Sequence, residues 1–242
     1  QVVLMGRMAW TVRNATFGLD PMQVLTFKMD VSPARFADPD SITRFYSALL
    51  DRLDALPGVA SAGAINRLPV SDRDVNVRVR VEGAPVTAPE ALPSLMLASV
   101  SVDYLRTMHV PILRGRTFET TDFGGDPPVA LVGEDAARQL WPRGDAIGSR
   151  ATLTLAGEPD RTVQVVGVVA NLRSADVFRR SMSQVYIPWT LRPDRTMAIA
   201  VRTESTNPVS LTPALRATAA ALEPNEPMFN VLSMEQVLFN DM

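Results

Sequence analysis

The sequence predicts a mixed α+β fold in which both ends of the chain build one split β-α-β subdomain around an inserted β-rich subdomain. A strand, a helix and a strand follow one another within residues 23–65, and again within residues 197–232. Between these units, short apolar segments recur without a long helical pattern. End units that pair across an insertion commonly form one split β-α-β layer, so residues near 20 and near 235 are expected to lie close together.

The first β-α-β unit is marked by a change in the spacing of its apolar residues. In residues 23–31 apolar side chains alternate with polar ones, which is typical of a half-buried strand. A helix is then predicted, with Asp38 as its cap and Pro39 in its first position. It has one apolar face and ends at Pro57-Gly58, and residues 59–65 form the second predicted strand.

The second unit has the same order of elements. Residues 197–203 are predicted as a strand and residues 207–223 as one helix, with its two prolines confined to the early turns. A strand over residues 228–232 follows. Ser233 and Gln236 have the spacing of a capping box, which predicts a last helix that continues beyond the end of the sequence.

The insert is predicted to be rich in strands. The stretch that reads Val-Asn-Val-Arg-Val-Arg-Val from Val75 alternates without interruption. Residues 83–93 are a loop by composition. The segment 165–169 is apolar on both sides and is therefore expected to be a central strand. The remaining predicted elements are strands at 96–102, 129–132, 150–155 and 161–169, a short helix at 134–140, and a hairpin loop at 156–160.

Composition excludes several classes of function. The net charge of −2 gives no reason to expect a nucleic acid partner, and the absence of cysteine removes disulfides, thiolate nucleophiles and Cys-based zinc sites. No apolar run approaches the roughly 20 residues that span a bilayer.

The chain begins with Gln1 and has no signal peptide, so we expect it to be part of a longer polypeptide. Trp10, between Arg7 and Arg13, suits a membrane interface, which predicts a juxtamembrane segment over residues 1–19; a plain helical tail is the alternative.

No residues of the sequence are predicted to be catalytic, cofactor-binding or metal-binding. His109 is the only histidine, it lies in an apolar run, and no nucleophile or phosphate-loop motif accompanies it. Two acidic clusters, at residues 71–74 and 119–122, lack the ligand spacing of a calcium loop and are interpreted as solvated turns. Trp141-Pro142 and the aromatic residues Tyr186 and Trp189 fit core packing better than an aromatic ligand pocket.

A series of short motifs resembles the MacB-like periplasmic core domain of ABC transporter permeases of the MacB/FtsX superfamily. Each motif is weak alone, but their order and spacing from Gly18 to Leu238 are specific. One departure is His109, where the family's pattern has glycine. The motifs are Gly18-Leu-Asp-Pro21, Leu56-Pro-Gly-Val59, Leu68-Pro69, Asp103-Tyr104-Leu105, Gly115-Arg116-Thr-Phe118, Asp122, Trp141-Pro142, Ile147-Gly148, Val165-Val-Gly-Val-Val169, Tyr186-Ile-Pro188 and Val201-Arg202-Thr203.

The resemblance implies a domain without enzymatic activity or cofactor on the extracytoplasmic (periplasmic) side of a cell membrane protein. Residues 20–74 and 186–242 would form a porter-like subdomain and residues 75–185 a Sabre-like one, with the chain leading on to the next membrane helix. The implied partners are a cytoplasmic ABC ATPase and a second permease copy or half, with a periplasmic adaptor and an outer-membrane channel left open.

The resemblance also implies a mechanism. ATP-driven motion of the membrane helices would reach this domain and drive export of a substrate, a process called mechanotransmission. The alternative is an FtsX-like signalling scaffold that activates an envelope partner such as a cell-wall hydrolase; an independent envelope enzyme is the third interpretation. Motion is expected at the crossings near residues 70–75 and 182–186. Residues 100–118 are expected to lie inside the insert, away from the membrane-proximal ends, with Gly115-Arg116 setting a turn.

Overall fold

The computed structural model describes residues 18–69, 75–85, 88–172 and 183–240. The described residues form eleven strands: β1 (Val24–Asp30), β2 (Val59–Ile65), β3 (Asn76–Val81), β4 (Ser94–Val100), β5 (Ile112–Gly115), β6 (Val129–Gly133), β7 (Arg150–Thr154), β8 (Arg161–Val169), β9 (Gln184–Pro188), β10 (Thr196–Thr203) and β11 (Phe229–Ser233). The α-helices among them are α1 (Pro39–Asp54), α2 (Tyr104–Thr107), α3 (Glu134–Leu140), α4 (Thr212–Leu222) and α5 (Met234–Asn240). The mixed α+β class predicted from the sequence is confirmed.

Four antiparallel strands from the two chain ends form one part of the sheet, in the order β11-β1-β10-β2. We call these strands, with α1 and α4, the four-stranded layer. β10 lies between β1 and β2, and β1 lies between β10 and β11, so each β-α-β unit encloses a strand of the other. Leu25 of β1 is paired with Ser233 of β11, which confirms that residues near 20 and residues near 235 lie close together.

Helix α1 covers one face of this layer. Asp38 caps it by accepting a hydrogen bond from the Ser41 amide at 2.8 Å, and Pro39 follows in the first turn, as predicted. Its buried face packs on β1, β10 and α4. The Tyr46 hydroxyl donates to the carbonyl oxygens of Met29 at 3.0 Å and Arg195 at 2.6 Å, which ties the helix to the sheet beneath it.

The second unit departs from its prediction in one place. Instead of a single helix over residues 207–223, a 3₁₀ helix (Pro208–Leu211) precedes α4. Pro213 lies in the first turn of α4 because its nitrogen has no hydrogen to donate, so the α-helical bonding pattern starts anew there. The capping box before α5 is confirmed by bonds from Ser233 N to Gln236 Oε1 at 2.9 Å and from Gln236 N to Ser233 Oγ at 3.2 Å.

Six strands of the insert close into a ring, which we call the barrel. Its order is β4-β3-β7-β8-β6-β9, and β9 pairs back with β4. The ring is joined to the four-stranded layer by the pairing of Ile65 in β2 with Val100 in β4. β8 is central, as predicted, since it pairs with β5, β6 and β7. The interior is filled by small and branched apolar side chains, chiefly valine, leucine and alanine.

Two strands were not predicted. β5 has only four residues, all exposed, and β9 is buried at every position, so neither shows the alternation that signals a half-buried strand. β9 pairs with β4 and β6 of the barrel. The predicted boundary between residues 185 and 186 therefore falls inside a barrel strand.

Gly115 and Gly167 allow β5 and β8 to approach each other closely. Gly115 has a φ of +74°, and a Cβ atom on either glycine would overlap the backbone of the opposite strand. Gly115 lies in the strand ladder, paired with Gly167, and not in the turn expected from the sequence.

We expect Gly167→Ala to lower the free energy of unfolding by about 2 kcal/mol, because the new methyl group would force β5 away from β8. Urea unfolding followed by circular dichroism measures this. Gly144→Ala is the matched control, since a Cβ atom there would have no neighbour within 4 Å. Equal stability of the two variants would contradict the close packing of β5 on β8.

Candidate functional site at the junction of the layer and the barrel

Within residues 100–118, the segment 101–110 lies between the four-stranded layer and the barrel and not inside the insert as expected, whereas β5 pairs with the barrel strand β8. Tyr104, Leu105 and Met108 are buried in an apolar cluster that includes Ala198 and Ala200 of β10. The same cluster includes Leu131 and Val169 of the barrel. The stretch is therefore the packing element that joins the two parts, which we call the junction. The sequence placed it in the insert because chain position alone does not show which core a segment enters.

Two tyrosines of the junction are fully buried. Burial raises the pKa of both Tyr104 and Tyr186 above the usual range of a phenol. The Tyr186 hydroxyl donates to Gln184 Oε1, whereas the Tyr104 hydroxyl has no hydrogen-bond partner within the described residues. Tyr186 and Trp189 both contribute to cores, which supports core packing over an aromatic ligand pocket, and Trp141 lines a different cavity from Trp189.

The residues that lead into β1, Gly18–Met22, are bound at the junction, and we call them the lead-in segment. The Asp20 amide donates to the Met108 carbonyl oxygen at 2.9 Å. Arg202 of β10 reaches the same place from the sheet. Its Nη2 donates to the Asp20 carbonyl at 2.8 Å, its Nη1 to the Met22 carbonyl at 2.8 Å, and its Nε to the Thr107 carbonyl at 2.7 Å.

Arg202 is a buried cation, with its side chain 7% exposed. Burial lowers the pKa of its guanidinium, and the neighbouring Asp20 carboxylate opposes that shift. Asp20 Oδ2 lies 3.3 Å from Arg202 Nη1 and 3.2 Å from His109 Nδ1. The lone histidine thus lies beside an ion pair in which Arg202 is buried and Asp20 is partly exposed, and within the described residues it belongs to no metal-binding group.

A cleft of about 760 Å³ opens beside the junction. Thr43, Ser47 and Asp51 of α1 line one side. The opposite side is formed by residues that follow barrel strands or lie between them: Ser101, Val102, Asp103, Thr120, Phe123, Trp189 and Thr190. The cleft therefore separates the helix of the four-stranded layer from segments attached to the barrel.

Both sides of the cleft carry carboxylates, from Asp51 and Asp54 of α1 and from Asp103 on the wall opposite. Asp54 accepts a hydrogen bond from the Ala62 amide at 2.6 Å. Burial raises the pKa of Asp54, and the charges of Asp103 and Asp51 raise it further, against the lowering effects of the Ala62 amide and Arg106. Asp103 itself is paired with Arg106 at 2.9 Å. These groups make both sides polar without assembling a metal site among the described residues.

The acidic cluster at residues 119–122 is a turn with Glu119, Thr120 and Thr121 exposed, as the sequence predicted, but its last residue, Asp122, is buried. Asp122 is 8% exposed and forms a two-pronged ion pair with Arg116, at 2.7 and 2.9 Å, while also accepting from the Glu119 amide at 2.8 Å. The hydrogen bonds from Arg116 hold the pKa of Asp122 below its usual range. Arg116 lies six residues before Asp122, too far for a local turn pattern to reveal the pair. The other acidic cluster, at residues 71–74, lies outside the described residues.

The family model of the MacB-like periplasmic core domain matches residues 2–220. The chain belongs to this family. Membership makes it a periplasmic or extracellular domain of a membrane transporter permease and implies association with an ATPase and a permease partner. None of the helices in the described part of the chain has the length and apolar character needed to cross a membrane.

Solved structures share the fold of this MacB-like domain. The periplasmic region of MacB from Actinobacillus actinomycetemcomitans superposes with a TM-score of 0.58 at 14% identity, covering 95% of this chain and 96% of that one. The extracellular domain of the noncanonic ABC-type transporter YknZ from Gram-positive bacteria gives 0.53 at 18% identity, covering 86% and 98%. No curated protein sequence matches the chain.

The backbone of His109 has a conformation that is uncommon for residues other than glycine. Its φ is +50°, in the left-handed region that favours glycine, the residue that the resemblance led us to expect there. The backbone after α2 thus has the geometry that favours glycine, although histidine occupies the position. The His109 amide donates to the Arg106 carbonyl at 3.0 Å and the Val110 amide to the Leu105 carbonyl at 2.9 Å, which closes the end of the helix.

Sequence reasoning missed the role of Arg202 in this MacB-like domain. Arg202 stood in the motif series only as part of Val201-Arg202-Thr203. The available signal was a charged residue at the end of a strand, residues 197–203, that is otherwise almost wholly apolar. A buried charge in such a strand requires fixed partners, and the structure supplies them from residues about 95 and 180 positions away.

Proposed function

We propose that this domain couples ATP-driven motion of the membrane helices to export of a substrate, by opening and closing the cleft between α1 and the barrel side. The observation that carries the proposal is the position of the cleft. It lies between α1 and the segments that follow the barrel strands β4, β5 and β9. The core beneath α1 and the core inside the barrel are separate clusters. A change in the angle between these parts therefore alters the width of the cleft while the junction cluster, and Trp189 in the core beneath α1, shift their packing.

In this proposal the four-stranded layer is the porter-like subdomain and the barrel is the Sabre-like subdomain. We place the end of the inserted part after Pro188 and not at residue 185, because β9 is hydrogen-bonded to β4 and β6 over its length. The hinge expected near residues 182–186 moves with this boundary, since Gln184–Pro188 is a buried barrel strand. The expected hinge at residues 70–75 and most of the juxtamembrane segment at residues 1–19 lie outside the described residues.

The partners in the proposal are an ABC ATPase on the cytoplasmic side and a second permease copy or half. A periplasmic adaptor and an outer-membrane channel would extend the path of the exported substrate. The family match supports the first two partners, because a permease domain has no energy source of its own.

The test uses spin labels on the two sides of the cleft, in the parent permease reconstituted with its ATPase. This domain has no cysteine, so Ser47→Cys and Thr120→Cys introduce its only pair, at exposed positions, after any cysteine elsewhere in the parent permease and its ATPase has been replaced. We expect the label distance measured by pulsed electron paramagnetic resonance to change by several ångströms between the ATP-bound and ATP-free states. A pair at Thr162 and Ala170 is the control and keeps its distance, since these residues lie at the two ends of the barrel strand β8, about 26 Å apart. An unchanged cleft distance would contradict the proposed function.

A further inference from the structure

The lead-in segment contacts every part that meets at the junction. On the sheet side, Asp20 and Met22 accept hydrogen bonds from Arg202 of β10. On the side of α2, Asp20 donates its amide to Met108. A Cβ atom on Gly18 would overlap the carbonyl oxygen of Asn171, which directly follows β8 and the end of the barrel, so the two backbones touch there.

Asn171 continues this chain of contacts into the barrel. Its Oδ1 accepts a hydrogen bond from the Asp135 amide at 2.9 Å, in the first turn of α3. A displacement of the lead-in segment toward the barrel therefore meets backbone that is itself fixed to α3. The segment cannot shift by a few ångströms without moving β10, α2 or the end of β8.

Arg202 makes the sheet contact hard to break. Four of its hydrogen bonds end on the lead-in segment and on Thr107: three on backbone carbonyl oxygens and one on the carboxylate of Asp20. Within the described residues Asp20 is its only ion-pair partner. Because the guanidinium is buried, separating the lead-in segment from β10 would leave a desolvated cation with the Thr107 carbonyl as its remaining acceptor among these four.

We propose that Arg202 is a positioning residue that locks the lead-in segment to β10 and α2, so that a pull on the chain before Gly18 is passed to the junction and changes the width of the cleft. This inference rests on the proposed function, because it assigns the route by which the motion reaches the cleft. Arg202 acts through the backbone of two segments that are far apart in the sequence.

The test adds Arg202→Met to the spin-labelled parent permease. Methionine keeps most of the volume of the aliphatic stem and removes all the donors. We expect ATP hydrolysis to continue while the ATP-dependent change in the distance between Ser47→Cys and Thr120→Cys is lost or at least halved. Arg202→Lys, which keeps the charge with fewer donors, restores part of the change. The matched control is Arg192→Met, which removes a side chain 22% exposed and paired with Glu158 and Asp194, and which leaves the distance change intact.

Hydrogen exchange separates this role from general destabilisation. In Arg202→Met the peptide containing the Asp20 amide should exchange about tenfold faster or more, while peptides from α1 and β8 keep their rates. Equal acceleration in all peptides would show that Arg202 only supports the fold and would overturn the proposal. A full distance change in Arg202→Met would also overturn it. A missing distance change in the unsubstituted permease refutes the proposed function instead, so the two failures are distinguishable.

Discussion

Tyr104→Ala is expected to lower the free energy of unfolding by about 4 kcal/mol, near the upper part of the range for removal of a buried aromatic ring. Tyr104 is 1% exposed and lies in the cluster that joins the layer to the barrel. The cavity should stay open, because α2 has no room to move inward: a Cβ atom on Gly63 of β2 would already lie 2.5 Å from the Tyr104 Cα. Urea unfolding at pH 7, followed by circular dichroism, measures the loss.

Tyr104→Phe is the matched control for this prediction. The Tyr104 hydroxyl has no hydrogen-bond partner among the described residues, so its removal should leave the unfolding free energy unchanged or raise it by up to about 1 kcal/mol. The result expected for Tyr46→Phe is the opposite, a loss of about 2 kcal/mol, because Tyr46 donates to two buried carbonyl oxygens. If Tyr104→Ala cost less than about 1 kcal/mol, the junction would not be a packed core.

Tyr104 also shows which structural features can be predicted from the sequence alone and which cannot. Local sequence patterns correctly predicted the elements that depend mainly on contacts between residues close together in the chain. The Asp38 cap and the Ser233–Gln236 capping box depend on residues within three positions, and both are present at hydrogen-bonding distance. The alternation after Val75 likewise predicted a strand, β3, with one buried face. Local sequence patterns also assigned Tyr104 to the insert, because Tyr104 lies between strands that are predicted to belong to the insert.

The features that the sequence could not predict all depend on contacts between distant segments. Barrel closure requires β9 to lie beside β4, some 90 residues earlier, and β9 has no period of its own because every side chain in it is buried. The cleft arises only when α1 is placed against Thr190 and Phe123. In the sequence Arg202 is one residue of a short motif. Its partners are backbone carbonyl oxygens, which no pattern of side chains reveals.

Asp122→Asn is expected to lower the free energy of unfolding at pH 7 by about 3 kcal/mol, because it breaks a charge pair with one buried partner. Asp122 accepts two hydrogen bonds from Arg116 and one from the Glu119 amide, and an asparagine provides a single oxygen for these three donors. The cost stays below that of a fully buried pair, since Arg116 is 41% exposed and water can solvate part of its charge.

The pH dependence of the same variant tests the ionic part of this cost. The pKa of Asp122 is lowered in the folded state, chiefly by the hydrogen bonds from Arg116, so its stabilisation is present above the unfolded pKa of about 4. That stabilisation disappears as the pH falls from about 4 through the folded pKa, because protonation then costs the folded state more than the unfolded one. The stability difference between the unsubstituted protein and Asp122→Asn should therefore shrink steadily below pH 4 in urea unfolding. The exposed Asp160→Asn serves as the control and should show little difference at any pH. A difference for Asp122→Asn that stays constant down to about pH 2 would mean that the carboxylate contributes by shape and hydrogen bonding alone.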